Sequence, residues 1–170
     1  MPRVAVDANV LIAGTAFPRP VVSLSNCWPY EVLQHALKGD YTLVLSPIVI
    51  REARRRIQTS FPGYVQEFEE FLALIKYEEA PVPGKEDVAD NQGLVRDETD
   101  VPLALSIIAA EVDCFVTYDR DFTDEDETTR RVREAIPGIM LPPVFLRDVM
   151  GWTSEELEAI RGRDWGDLDE

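Results

Sequence analysis

Cysteine and histidine are scarce in this sequence, and each scarcity excludes a class of site. The two cysteines, Cys27 and Cys114, are isolated, so neither a disulfide framework nor a thiolate metal site is expected. His35 is the only histidine, which excludes zinc sites built from several histidines. Long apolar runs are missing too: no segment approaches the roughly 20 residues that span a bilayer, and Asp7 interrupts the N-terminal one. We therefore expect a cytoplasmic protein with no membrane segment.

Charge is also one-sided. With 17 basic and 32 acidic residues, the formal net charge of −15 argues against binding of nucleic acid by overall electrostatic attraction. Residues 1–64 carry 7 basic and 4 acidic side chains, a net charge of +3, whereas residues 65–170 carry 10 and 28, a net charge of −18. A polyanionic ligand is therefore expected to approach over the first third of the chain.

Short apolar segments alternate with amphipathic ones. Strands are predicted for residues 4–7, 42–45, 114–117 and 139–141, with a short extended piece after residue 76. Helices are predicted for residues 31–39, 47–58, 64–76, 100–111 and 130–135, and a loop for residues 81–90. This alternation predicts an α/β fold, a three-layer α/β/α sandwich around a mostly parallel sheet, in a domain of residues 1–150 followed by an acidic extension of residues 151–170.

Four carboxylates occupy related places in this order. Asp7 follows the first strand, Glu52 lies on the helix after the second, Asp100 begins the apolar helix and Asp119 follows the strand at 114–117. Taken singly, Asp7, Asp100 and Asp119 could each cap a helix or close a turn. In a parallel sheet, however, these positions converge on one rim, where α/β proteins bind their ligands.

Helix geometry points Glu52 toward the interior. At about 100° per residue, Glu52 falls within an arc that runs from Ile48 through the other apolar residues of the helix. A buried carboxylate needs a partner, a proton or a metal ion. Three arginines fall on the opposite side and form either a phosphate-guiding surface or a solvated helix face: Arg51, Arg54 and Arg55.

Acids that converge on one pocket repel one another, and a divalent cation is the simplest source of relief. A set of oxygen ligands without histidine or cysteine selects Mg²⁺ or Mn²⁺ when the substrate is a phosphate. The chemistry expected is metal-assisted hydrolysis of a phosphodiester bond, in which the ion activates water and no histidine base is required.

The ordered motifs resemble those of the PIN-domain family of nucleases. The resemblance runs from about residue 4 to residue 149 and rests on three segments: VAVDANVLIAG, LSPIVIREARRRI and DETDVPLALSIIAAEVDCFVTYDRDF. It implies a PIN-like fold and an Mg²⁺- or Mn²⁺-dependent endoribonuclease. Many bacterial members are VapC-type toxins that cut RNA, are held inactive by an antitoxin and are often homodimers, so the resemblance implies an RNA substrate, an antitoxin partner and a homodimer.

The resemblance also assigns roles to particular residues. The metal-binding and catalytic acids it implies are Asp7, Glu52, Asp100 and Asp119. Helper acids are Asp97 and Asp121, and the polar residues that would orient carboxylates and water are Asn9 and Thr117. Three segments depart from compact members of the family, namely residues 15–31, 123–135 and 151–170.

Other interpretations compete with a nuclease. A phosphoaccepting receiver domain needs a lysine at a later strand end, and none of the three lysines follows the strands at 114 or 139. A haloacid-dehalogenase-like phosphatase requires a second Asp at the position of Asn9, so this residue argues against that class. The more serious alternative is a non-catalytic PIN-like module that binds RNA or protein.

Overall fold

Five parallel strands form the centre of the molecule. The structure is a computed structural model that describes residues 1–15 and 27–161. The strands are β1 (Arg3–Val6), β2 (Thr42–Leu45), β3 (Glu78–Glu79), β4 (Cys114–Val116) and β5 (Ile139–Met140). Their order across the sheet is β3-β2-β1-β4-β5, and each adjacent pair is parallel. The predicted α/β class with a parallel central sheet is confirmed.

Helices connect the strands. In the described ranges these are α1 (Ala8–Gly14), α2 (Cys27–Leu37), α3 (Pro47–Ser60), α4 (Val65–Leu74), α5 (Lys85–Asp90), α6 (Val101–Ala110), α7 (Arg120–Thr123), α8 (Arg130–Ala135), α9 (Pro142–Asp148) and α10 (Ser154–Arg161). None of them is both long and apolar enough to cross a membrane. The predicted helices are confirmed to within a few residues at their ends.

The prediction of a loop over residues 81–90 is wrong for its second half, which forms α5. Val88 is the only residue of α5 that packs against the core, so this short helix has no apolar repeat for sequence reasoning to detect. Glu86 and Asp87 lie in its first turn, where negative charge interacts favourably with the helix dipole.

Strand order places the ends of β1 and β4 together. The chain leaves β1 for β2 and β3 on one side, then returns to form β4 and β5 on the other side of β1. In an open parallel sheet, such a reversal opens a crevice at the carboxyl ends of the strands it separates. Apart from Arg3, the residues of β1 and β4 are almost fully buried, so the positions directly after Val6 and Val116 follow rigid strands.

At the far end of the chain, α10 packs against α2 and α9. The Trp28 indole N–H donates to the backbone oxygen of Leu157 at 3.2 Å, and Ile160 is buried against Trp28, Tyr30 and Trp152. The first part of the predicted extension, up to residue 161, is thus packed on the domain. Residues 162–170, and residues 16–26 of the predicted insertion, lie outside the described residues.

Candidate active site

Asp7 and Asp119 are joined through one threonine. Asp7 is buried directly after β1, and its Oδ1 accepts a 2.7 Å hydrogen bond from the backbone N–H of Ala8, which caps α1. Its Oδ2 accepts a 2.7 Å hydrogen bond from the Thr117 hydroxyl. That hydroxyl accepts in turn from the backbone N–H of Asp119 at 2.9 Å. The carboxyl ends of β1 and β4 are therefore held in a fixed relation.

Burial makes the Asp7 carboxylate electrostatically unfavourable. Desolvation raises the pKa of Asp7 from its ordinary value to about 6, although the hydrogen bonds from Thr117 and Ala8 act in the opposite direction. The negative charges of Glu52 and Asp119 raise this pKa further. Asp7 therefore lies in the repulsive field of two other predicted acids.

Asp100 is repelled by some of the same acids. It is half-buried at the start of α6, and desolvation raises the pKa of its carboxyl to about 7. Charges on Asp119, Asp97 and Asp7 raise this pKa as well, and so does a side-chain hydrogen bond with Asp119. The four acids of the predicted set are thus coupled, because each repels at least one other member.

The tightest cluster of carboxylate oxygens includes two of the predicted helpers. One oxygen each from Asp97, Asp100 and Asp121 can be chosen so that all lie within 4.8 Å of one another. Asp97 is exposed, and bonds from the Thr99 hydroxyl and backbone N–H lower its pKa. Of the four predicted metal ligands only Asp100 belongs to this close group, where it meets the predicted helper acids Asp97 and Asp121.

Glu52 lies at the edge of the core and not inside it. It is half-buried and lines a cleft of about 400 Å³ together with Asp100, Thr99 and three other residues of α3. The expected inward orientation is only partly right, because Ile48 is itself half-buried and the buried arc of the helix stops short of Glu52. This position leaves the Glu52 carboxylate accessible from the cleft.

The three arginines predicted to form one surface behave differently. Arg54 is bound to Glu69 through two hydrogen bonds of 2.5 and 3.0 Å. Arg51 and Arg55 are exposed and line the same cleft as Glu52, and neither guanidinium group forms a hydrogen bond or ion pair within the described ranges. The structure therefore separates two cleft arginines from one that is already neutralised.

Asn9 supports the loop that carries the acids. Its side-chain oxygen accepts a 3.3 Å hydrogen bond from the backbone N–H of Tyr118, which lies between Thr117 and Asp119. No hydrogen bond between Asn9 and a carboxylate occurs in the described part of the chain. Asn9 thus connects α1 to the end of β4, while Thr117 makes the direct contact with Asp7.

Sequence reasoning missed Arg96. Its guanidinium contacts several acidic residues and backbone groups around α7, including Asp121 at 2.6 Å. An arginine that directly precedes Asp97 within a strongly acidic region was the only available signal. Its partners are far away in the sequence, so only the folded chain reveals them.

The donor set suits a hard divalent cation. All candidate ligands are carboxylate oxygens, and in the described ranges no lysine or arginine forms an ion pair with Asp7, Glu52, Asp100 or Asp119. Coupled acids without a counter-charge are costly in a partly buried site. Oxygen-only ligands and unbalanced charge are together what a hard divalent cation requires of its site.

Comparisons with known proteins agree with this geometry. No curated protein is similar in sequence to the chain. Its fold is similar to the crystal structure of PAE2754 from Pyrobaculum aerophilum, with a TM-score of 0.57 and 16% sequence identity over 89% of this chain and 91% of that one. Residues 3–121 match the family model described as PIN domain, and this range contains every acid of the site. PIN domains are generally nucleases, and by this match the chain belongs to the PIN-domain family.

Proposed function

We propose that this protein is a divalent-metal-dependent ribonuclease that hydrolyses RNA phosphodiester bonds, and that it is the toxin component of a type II toxin-antitoxin system. One observation carries the proposal: Asp7 is repelled by Glu52 and Asp119, Asp100 is repelled by Asp7 and Asp119, and none of these four acids has a basic partner in the described ranges. A site selected only for stability would not retain such repulsion, whereas a cation site requires it.

The acids would hold the cation, each from a rigid support. Asp7 and Asp119 follow buried strands, Asp100 lies at the start of α6, and Glu52 reaches the site from α3. The Thr117 hydroxyl fixes the Asp7 carboxylate, and ligand orientation of this kind is what neighbouring hydrogen bonds contribute in metal sites. When bound, the cation supplies Lewis-acid activation of water and neutralises charge on the leaving oxygen.

The cleft would orient the RNA. Glu52 and Asp100 line it on the acidic side, and Arg51 and Arg55 lie one helical turn apart on α3. Residues at this spacing share one face of a helix, so both guanidinium groups can contact the same strand. Arginine forks bind phosphate oxygens with two parallel hydrogen bonds. The local basic charge thus offsets a net charge of −15 where the substrate enters.

A cleavage assay tests the proposal. Purified protein is incubated with a single-stranded RNA in Mg²⁺, in Mn²⁺ and in excess chelator, beside Asp7→Asn, Asp100→Asn and Asp119→Asn variants of confirmed fold. Cleavage should need the cation and disappear in each variant. Activity that survives these substitutions would place the chemistry elsewhere. Metal-independent RNA binding without cleavage would instead support the non-catalytic PIN-like module.

The toxin role implies two partners. We infer that an antitoxin with a basic segment complements the acidic site, and that the chain forms a homodimer. Coexpression with the product of the neighbouring gene should yield a complex that lacks cleavage activity, and light scattering should give twice the mass of 19.2 kDa for the protein alone. An active monomer that associates with no neighbouring product would remove the toxin role while leaving the nuclease intact.

A further inference from the structure

Arg96 uses almost its entire guanidinium group within the fold. Its Nε donates to Asp121 at 2.6 Å, one terminal nitrogen donates to Asp124 at 2.8 Å and to the backbone oxygen of Arg120 at 2.9 Å, and the other donates to the Thr128 hydroxyl at 2.9 Å. The Asp126 carboxylate lies 3.7 Å away. Such a set of directed bonds exceeds what a solvated surface arginine makes.

These bonds connect two segments that are distant in sequence. Arg96 belongs to the loop before α6, and the directly preceding Val95 is fully buried, which anchors the backbone at this point. The partners of Arg96 all lie in residues 120–128, around α7. Asp97 and Asp100 lie on the first segment and Asp121 on the second, so Arg96 crosses between the two groups of acids.

Repulsion between acidic residues explains why a basic residue is needed between the two segments. The segment around α7 carries the acids Asp121, Asp124, Glu125, Asp126 and Glu127, and it faces Asp97 and Asp100. Without a cation between them the two segments would repel each other. The pKa of Arg96 is raised, first by its hydrogen bond with Asp121 and then by that with Asp124, so the group stays fully charged.

We propose that Arg96 is a positioning residue for the divalent-cation site, because it holds the Asp121 carboxylate against those of Asp97 and Asp100. The inference rests on the proposed function, in which this site binds a divalent cation. Arg96 occupies Oδ1 of Asp121, and a carboxylate has a second oxygen that can serve a cation. Arg96 thereby brings the three oxygens within 4.8 Å although it contacts neither cation nor substrate.

The Arg96→Lys variant shows whether the positive charge of Arg96 is sufficient or whether its several directed hydrogen bonds are needed. Lysine keeps the positive charge, but it has one donor nitrogen in place of the planar fork and cannot bond to Asp121, Asp124 and Thr128 at once. Arg96→Met removes the charge as well. If Arg96 positions Asp121, both variants bind cation more weakly, whereas if Arg96 merely competes with the cation, Arg96→Met binds it more tightly and Arg96→Lys is unchanged.

The test is Mn²⁺ binding to the full chain, measured by calorimetry without RNA. Both Arg96 variants should lose about 10- to 100-fold in affinity, the range typical of residues that orient metal ligands. Arg120→Lys is the matched control, because Arg120 also pairs with Asp124 but lies 83% exposed and makes no bond to Asp121. This control should bind Mn²⁺ like the parent.

A double-mutant cycle shows whether Arg96 influences Mn²⁺ affinity through Asp121. In an Asp121→Asn background, Arg96→Lys should cause little further loss of Mn²⁺ affinity, because the ligand that it positions is already gone. An equal loss in both backgrounds would overturn the proposal, as would parent-like affinity of Arg96→Lys. Thr128→Val removes one anchor of Arg96 and also the hydroxyl's hydrogen bond to Asp126, an acid outside the group of Asp97, Asp100 and Asp121. This variant should weaken binding in the same direction even if the Arg96 variants do not fold.

Mn²⁺ binding by the parent protein distinguishes a failure of the proposed function from a failure of the role of Arg96. A parent that binds no Mn²⁺ contradicts the proposed function itself. A parent that binds Mn²⁺ with an affinity indifferent to Arg96→Lys contradicts only the role of Arg96.

Discussion

Thr117 donates a 2.7 Å hydrogen bond to Asp7, and the two residues are 110 positions apart in the sequence. The contact joins the end of β4 to the end of β1, adjacent strands that run parallel at the centre of the sheet. Thr117 is fully buried and its hydroxyl also accepts from Asp119, so a single side chain orders two acids of the proposed site.

Thr117→Val should weaken both the fold and the site. Valine matches threonine in shape but leaves the Asp7 oxygen and the Asp119 N–H without this partner, a loss of about 1–3 kcal/mol in the free energy of unfolding. Because the hydroxyl also lowers the pKa of Asp7, its removal should reduce Mn²⁺ affinity at neutral pH. Chemical denaturation and calorimetry measure the two effects. Thr117→Ser keeps the hydroxyl and is the control, which should retain the Mn²⁺ affinity of the parent. Parent-like stability and Mn²⁺ affinity in Thr117→Val would show that the hydrogen bond does not order the site.

Metal-free protein should lose stability as the pH rises from about 4 to 7. The pKa of Asp7 is raised to about 6 in the folded state, so folding favours the protonated carboxyl. The unfolded chain releases this proton near pH 4, the folded chain only near pH 6, and stability therefore falls between these values and levels off above them. A shift of about 2 pH units corresponds to roughly 3 kcal/mol.

Asp7→Asn isolates this contribution, because asparagine does not titrate and the remaining acids are common to both proteins. Unfolding is followed in chelator at several pH values. The difference in unfolding free energy between variant and parent should grow in favour of the variant from pH 4 to pH 7. If the difference in unfolding free energy is constant over this range, burial does not raise the pKa of Asp7.

Loss of Arg51 or Arg55 should weaken RNA binding, and loss of Arg54 should not. Binding of a single-stranded RNA is measured in the Asp7→Asn background, in which we expect no cleavage. For each lost phosphate contact, the slope of log affinity against log salt should fall by about 0.7. Arg54→Ala is the matched control, since Arg54 is already paired with Glu69 on the same helix. Equal effects of all three substitutions would point to general attraction and not to contact within the cleft.

Trp152→Phe should destabilise the protein without affecting cleavage. The Trp152 indole N–H donates to Nε2 of His35 at 2.9 Å, so that nitrogen is an acceptor and the proton of the neutral ring is on Nδ1, facing Asp40 at 2.7 Å. Phenylalanine leaves Nε2 without its donor, which should lower the free energy of unfolding by about 1 kcal/mol. Unchanged stability, or a change in cleavage rate at equal stability, would contradict this assignment.

Much of the fold could be predicted from local patterns. Apolar runs at 42–45 and 114–117 and the Ser46-Pro47 helix start are short-range signals, and the structure has strands and a helix there. The helix α5 escaped prediction because a single core contact leaves no periodicity to detect. Similarly, helix geometry placed Glu52 on the apolar side but could not show that Ile48 is only half-buried, since this depends on which elements pack against α3.

By itself the sequence determined which carboxylates are available, the elements on which they lie, and the absence of histidine and thiolate ligands at their sides. Tertiary structure alone decided how closely the acids meet and which cations they bind within the fold: oxygens of Asp97, Asp100 and Asp121 lie within 4.8 Å of one another, Arg54 is neutralised by Glu69, and Arg96 connects two acidic segments. The physical reason is that helix and strand patterns depend on neighbours a few residues apart. Electrostatic repulsion, desolvation and hydrogen bonding depend on distances in space, which the order of the parallel strands sets.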